Sequence, residues 1–91
     1  FNAKCYLKKI TLKWNKLADV SGYEIQISNK RNFKQKQSYS LKKSKTQKVI
    51  KKYKGKKLEL GKAYYVRIRT FKNNDGTKVY GSWSDRIRCQ M

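Results

Sequence analysis

Ninety-one residues, 37% of them hydrophobic, have room for one domain with one small core and exclude a second. Twenty-five Lys and Arg against five acids give a formal net charge of +20, which opposes compaction by self-repulsion and attracts polyanions. No apolar run reaches the length of a membrane-spanning helix, and apolar residues held in register with 13% aromatics exclude a disordered chain.

In chain order, Phe1 to Leu7 is a weakly marked first strand. In ITLKW, Ile10, Leu12 and Trp14 alternate with Thr11 and Lys13; in GYEIQIS, Tyr23, Ile25 and Ile27 alternate with Glu24, Gln26 and Ser28. Ser38 to Leu41 and Gln47 to Tyr53 follow with weaker patterns. The longest alternation is AYYVRIRTF, Ala63 to Phe71, with Tyr64, Val66, Ile68 and Thr70 on one face and Tyr65, Arg67, Arg69 and Phe71 on the other. At the end Ile87, Cys89 and Met91 alternate with Arg86, Arg88 and Gln90. Period two marks each as a strand with one buried face, and no segment sustains a helical period.

Turn signals separate the strands at Asp19 to Gly22, Asn29 to Asn32, Lys54 to Lys57 and Asn73 to Gly76. With no Pro in the chain, the turns fall to Gly, Asn, Asp and Lys. About seven short strands in some ninety residues predict an all-β, antiparallel two-sheet sandwich. Its core is expected to hold Trp14, Tyr23, Ile25, Tyr64, Val66 and Ile68. A chain that opens at Phe1, without Met or a signal sequence, is expected to be a single domain, residues 1–91, taken from a larger multidomain protein.

Nothing in the sequence points to catalysis. The absence of His removes the commonest general base and metal ligand, and two Cys cannot complete a four-ligand zinc site. The acids Asp19, Glu24, Glu59, Asp75 and Asp85 fall on separate strands and turns. Asp19 and Asp75 can approach at one pole, where turn chemistry accounts for them better than an acid–base pair. The five glycines are isolated, so no phosphate-cradling loop exists. The sequence predicts no enzyme, no cofactor and no metal.

The pieces ITLKWN, SGYEIQIS, NKRNFK, LELGKAYYVRIRTF and NNDGTKVYGSWSDRI, in that order, resemble a fibronectin type III domain. The likeness is to the lysine-rich versions in surface proteins of Gram-positive bacteria, and it spans Ile10 to Ile87. It implies an immunoglobulin-like sandwich in which Trp14 packs between the sheets. Tyr64, six residues after Leu58, then occupies the tyrosine corner, its hydroxyl bonded to backbone near the preceding turn. Two features depart from the pattern. Leu60 replaces the usual proline before Gly61, and extra residues between Val49-Ile50 and Leu58 leave the register of the fifth strand open.

YGSWS, Tyr80 to Ser84, is similar to the WSxWS signature of cytokine-receptor fibronectin domains, where arginines of the neighbouring strand stack between aromatic rings. The resemblance implies a cation–π ladder of Arg67 and Arg69 with Trp83 and Tyr80. The rival reading is a basic surface of Arg67, Arg69, Arg86 and Arg88 that grips phosphate, sulfate or carboxylate. Ten of the 21 residues from Lys42 to Lys62 are Lys, with Lys51, Lys52, Lys56 and Lys57 prominent; the plain reading is a solubilising face.

In the fibronectin fold the first and last strands are parallel open edges, which would bring Cys5 and Cys89 to one pole. A disulfide and a pair of packed thiols both remain open there. The expected function is a non-catalytic extracellular or cell-surface module, a spacer or adhesion domain of a bacterial surface or secreted protein. Its expected partners are neighbouring domains of the same chain and a protein, glycan or anionic cell-wall polymer, with nucleic acid bound by charge alone. The alternative is a dedicated polyanion binder, and a third reading is an accessory domain of a wall-active enzyme.

Overall fold

Two antiparallel sheets face each other across a thin apolar layer in the computed structural model, which describes residues 1–91. The first sheet has the order β1 (Asn2–Tyr6), β2 (Lys9–Lys13), β5 (Gln47–Ile50). The second has the order β10 (Ile87–Gln90), β8 (Ala63–Asn74), β3 (Gly22–Ser28), β4 (Gln37–Lys42), and β9 (Thr77–Tyr80) also pairs with β8. A separate two-stranded hairpin joins β6 (Lys52–Tyr53) to β7 (Lys56–Lys57). All the strands are antiparallel to their partners and no helix forms.

The period-two residues build the core. Ile10 and Leu12 from the first sheet, with Trp14 just after β2, meet Tyr23, Ile25, Tyr64, Val66 and Ile68 from the second, all buried. Pairing of Ile25 with Ile68 and Ile27 with Val66 puts the apolar sides of β3 and β8 on one face. The opposite face of β8 carries Tyr65, Arg67, Arg69 and Phe71, which pair with Ser28, Gln26, Glu24 and Gly22. At Gly22 a side chain has no space, because a Cβ would lie 2.6 Å from the Phe71 ring.

The fifth strand is shorter than the run Gln47 to Tyr53. It pairs Ile10 with Ile50 and Leu12 with Lys48, and leaves β2 at Lys51. The extra residues form the β6–β7 hairpin, whose turn places Lys54 at φ 52° and Gly55 at φ 81°. The Tyr53 hydroxyl donates to the Gln35 carbonyl and its ring packs edge-on to Tyr64, so the hairpin is tied down. A further strand, β9, returns along β8 after Asp75 and Gly76, both at positive φ, as a two-residue hairpin turn of mirror-image hand requires. The last strand starts at Ile87 and ends at Gln90, inside the run Arg86 to Met91.

Both open sides of the sandwich are closed by side chains. Between β1 and β10, Cys5 and Cys89 are joined by a disulfide, with Cα atoms 5.4 Å apart. Between β4 and β5, the Lys48 ammonium lies 4.5 Å from the Tyr39 ring centroid. Phe1 sits beside Trp14 and Trp83 at one pole, whereas Met91 hydrogen-bonds Gly61 and Lys62 at the other.

Candidate functional site: an arginine–aromatic ladder on the outer sheet face

The outer face of β3 and β8 supplies the most organised cluster of polar side chains. Arg67 lies between two rings, its guanidinium carbon 4.1 Å from the centroids of both Phe33 and Trp83. Arg69 lies between Trp83 at 4.2 Å and Tyr80 at 3.6 Å. The resulting order of planes is Phe33, Arg67, Trp83, Arg69, Tyr80. Beyond it Tyr80 tilts against Phe71, whose ring also carries the Lys78 ammonium at 4.5 Å.

Backbone bonds hold Trp83 in place. Between β9 and β10 the segment Gly81 to Arg86 departs from regular pairing but stays attached to β8. Gly81 N–H donates to the Thr70 carbonyl, Ser84 N–H to the Ile68 carbonyl, and Ile68 N–H to Ser84 Oγ. Those bonds set the one indole of the segment between two guanidinium groups. Each contact gains about 0.5–2 kcal/mol depending on its exposure.

The two arginines have different in-plane partners. Arg69 donates through Nε at 2.7 Å and Nη2 at 2.6 Å to one oxygen of Glu24, and the pair is mostly screened from solvent. Arg67 donates through Nε at 3.0 Å and Nη2 at 2.6 Å to the amide oxygen of Gln26, which is buried and passes its own N–H to Ser38. Arg67 therefore has a neutral partner where Arg69 has a charged one. Burial, and then the Arg69 charge, push the Arg67 guanidinium below the usual arginine range, against a smaller opposing pull from Glu24.

The other basic residues are spread out. Arg88 pairs with Tyr65 in the strand register and donates to Gln90, so it does not join the ladder. Arg86 is exposed and shares a groove with Arg67 and Arg31. Lys51, Lys52, Lys56 and Lys57 are exposed on and beside the β6–β7 hairpin, and their ammonium groups have no hydrogen-bond or ion-pair partner. Of the segment's lysines, Lys62 pairs with Glu59 at 2.7 Å, which holds the Glu59 carboxyl below and the Lys62 ammonium above their usual ranges. Near them the Glu59 N–H donates to the Tyr64 hydroxyl at 3.0 Å, tying the β7–β8 connection to the core.

Residues 9–91 match the family model described as the Rha78A-like, N-terminal immunoglobulin domain. The chain belongs to that family. No curated protein matches the chain. The immunoglobulin-like sandwich is thus supported by family and architecture together, while the family's description is not specific to fibronectin type III or its lysine-rich versions.

Phe33, Glu24 and Gln26 take part in the ladder without having been singled out by the sequence reading. The usable signal for the two polar residues is the facing of E-x-Q in GYEIQIS with R-x-R in VRIRT once the strands are antiparallel. Phe33 carries no such signal, because it is a buried loop residue at φ 61°.

Exchange of Arg69 for Lys isolates the planar group. Lys keeps a charge near Glu24 but cannot fill the slot between Trp83 and Tyr80. Arg69→Lys is expected to lower stability by about 1–2 kcal/mol in urea melts. A variant as stable as the parent would show that the stacked geometry contributes nothing.

Proposed function

We propose that the chain is a non-catalytic extracellular module, a spacer or interaction domain within a longer surface or secreted bacterial protein. The observation that carries this reading is the Cys5–Cys89 disulfide, which joins the outer strands of the two sheets and encloses 84 residues of sequence separation. Disulfides persist in oxidising compartments, and one that spans nearly the whole chain suits a unit held by its ends. The family description as an N-terminal domain supports a place among further domains of the same chain. Placement of β4 beside β3, in place of the constant-type arrangement with the fourth strand on the first sheet, supports a fibronectin-like subclass.

Tension applied at Phe1 and Met91 reaches the bridge through a few residues at each end and bypasses the folded core. Single-molecule extension tests the consequence. Pulled in oxidising buffer, the domain is expected to show no unfolding step. In reductant, the freed segment should add roughly 250–300 Å at about 3.4 Å per residue. A full-length step under oxidising conditions would overturn the reading of a bridged extracellular spacer.

The exposed lysines favour one subsidiary property, weak attraction of any polyanion. Mobile ammonium groups hold charge without fixing geometry, so such binding should be indifferent to polymer chemistry and fall steeply with salt.

A further inference from the structure

The end of the ladder opens into a groove with an excess of positive charge. Lys30, Arg31, Asn32 and Arg86 line a depression of about 400 Å³. Arg31, Asn32 and Arg86 also line an adjoining cavity of about 240 Å³, together with Phe33, Arg67, Ser84 and Asp85. Four cations thus face a single carboxylate, and Asp85 forms no ion pair with any of them.

Arg67 is the fixed element of this groove. Both faces of its guanidinium are covered by rings, and one edge is spent on Gln26. Its remaining N–H groups lie on the edge left free, and Arg67 is part of the groove wall. Unlike Arg69 it has no carboxylate at ion-pair distance, and the pull of Glu24 on it is smaller than the opposing effects of partial burial and the Arg69 charge. A partly buried cation without a close counterion is costly to hold, and an anion at its free edge lowers that cost.

The backbone of the turn beside it is also fixed. The buried Ser28 hydroxyl donates to the Lys34 carbonyl at 2.6 Å and accepts from Lys30 N–H at 3.0 Å. Asn32 Oδ1 accepts from Lys34 N–H at 3.1 Å, and Phe33 N–H donates to the Lys30 carbonyl at 3.0 Å. Phe33 is held in the left-handed region at φ 61°, a conformation that costs energy for a non-glycine residue and here sets its ring over Arg67. The turn that carries Lys30 and Arg31 is therefore pinned at both ends beside the ladder.

We propose that the groove walled by Lys30, Arg31, Arg67 and Arg86 binds a tetrahedral oxyanion, the sulfate or phosphate group of a monoester. A planar guanidinium with one free edge presents parallel N–H donors to two oxygens, while the exposed Arg31, Arg86 and Lys30 close on the others. The lysines of the β6–β7 hairpin serve no such role, since nothing orients them. This assignment goes beyond the spacer reading and is read out in free solution, so either can fail without the other.

The test is a titration of isotope-labelled protein, followed by amide and arginine Nε resonances, at about 0.15 M salt, where distant charges are screened. Inorganic sulfate and inorganic phosphate are added separately, followed by glucose 6-sulfate and glucose 6-phosphate to distinguish the two sources of oxyanion. Saturable shifts are expected at Arg67 Nε and in the backbone of residues 30–33 and 84–86, with one ester preferred. Arg31→Gln and Arg86→Gln stand outside the ladder and leave the fold intact. Each should weaken binding about 10-fold, the loss expected for one charge-assisted hydrogen bond. Replacement of Lys51, Lys52, Lys56 and Lys57 by Gln should leave it unchanged. Shifts that never saturate and follow the lysines, or Arg31→Gln and Arg86→Gln variants that bind like the parent, would overturn the assignment.

Discussion

Reduction of the Cys5–Cys89 bridge is expected to lower the stability of the folded domain by about 4–5 kcal/mol, the chain-entropy value for a loop of this length. The bridge acts mainly on the unfolded ensemble. With residues 5 and 89 joined, the unfolded chain is a ring and loses many of the extended conformations it would otherwise sample. A domain of this size has a total stability of about 5–15 kcal/mol, so the loss removes a large share of it. The charge sharpens the effect. Only two of the 25 Lys and Arg side chains are in ion pairs, and repulsion among the rest favours expansion once the ring is opened.

The measurement is a pair of thermal melts, with and without reductant, repeated on Cys5→Ser/Cys89→Ser. A fall of roughly 20–35 °C is expected in low salt, at about 4–8 °C per kcal/mol for a chain of this length. Added salt should restore part of the loss by screening the repulsion, more in the reduced than in the oxidised protein. Coincident melts in the two redox states would mean that the reduced chain is already confined by other contacts. Cys89 is fully buried, but Cys5 lies on an exposed edge strand, so reductant can reach the pair without prior unfolding.

How far the sequence reveals this arrangement depends on what each residue contributes. Period-two alternation was sufficient for the two central strands, because Ile25 and Ile27 of β3 pair with Ile68 and Val66 of β8 on one core face, even though Gln26 and Ser28 on the outer face of β3 are buried as well. The same alternation in AYYVRIRTF places Arg67 and Arg69 on one outer face. It does not identify what completes the ladder, because Phe33 comes from a loop whose path follows tertiary bonds to Ser28 and Asn32. The strand Thr77–Tyr80 escaped for another reason. All four of its residues are exposed, so it has no apolar side to mark it and pairs only because the Asp75-Gly76 turn returns the chain onto β8. In Gln47 to Tyr53 the pattern hides a break at Lys51, where the chain changes partners from β2 to β7 without a change in composition. Of the groove, Arg67 and Arg86 were legible as members of a basic surface, whereas Lys30 and Arg31 were hidden, because they come from a separate loop that shares no sequence pattern with it.

Trp14→Ala should unfold the domain or leave it barely folded, with a cost of about 3–5 kcal/mol for deletion of a buried indole. The residue follows β2 directly, where its backbone N–H donates to the Thr46 carbonyl at 3.0 Å and its ring meets Tyr23 at 5.4 Å between centroids. Tyr23 in turn accepts the Leu17 N–H on its hydroxyl, so the indole also supports the connection into β3. Its truncation would open a cavity between the sheets that small neighbours cannot fill. One atom of the indole works against this benefit, because Trp14 Nε1 is buried without a hydrogen-bond partner. An unpaired buried donor costs about 1–3 kcal/mol, which offsets part of what the ring contributes by packing. Trp14→Phe removes that donor and keeps an aromatic plane against Tyr23, so its loss should be well below that of Trp14→Ala. Urea melts of the two variants separate the terms. A Trp14→Ala domain that melts cooperatively within about 5 °C of the parent, a shift worth roughly 1 kcal/mol here, would place the indole outside the core.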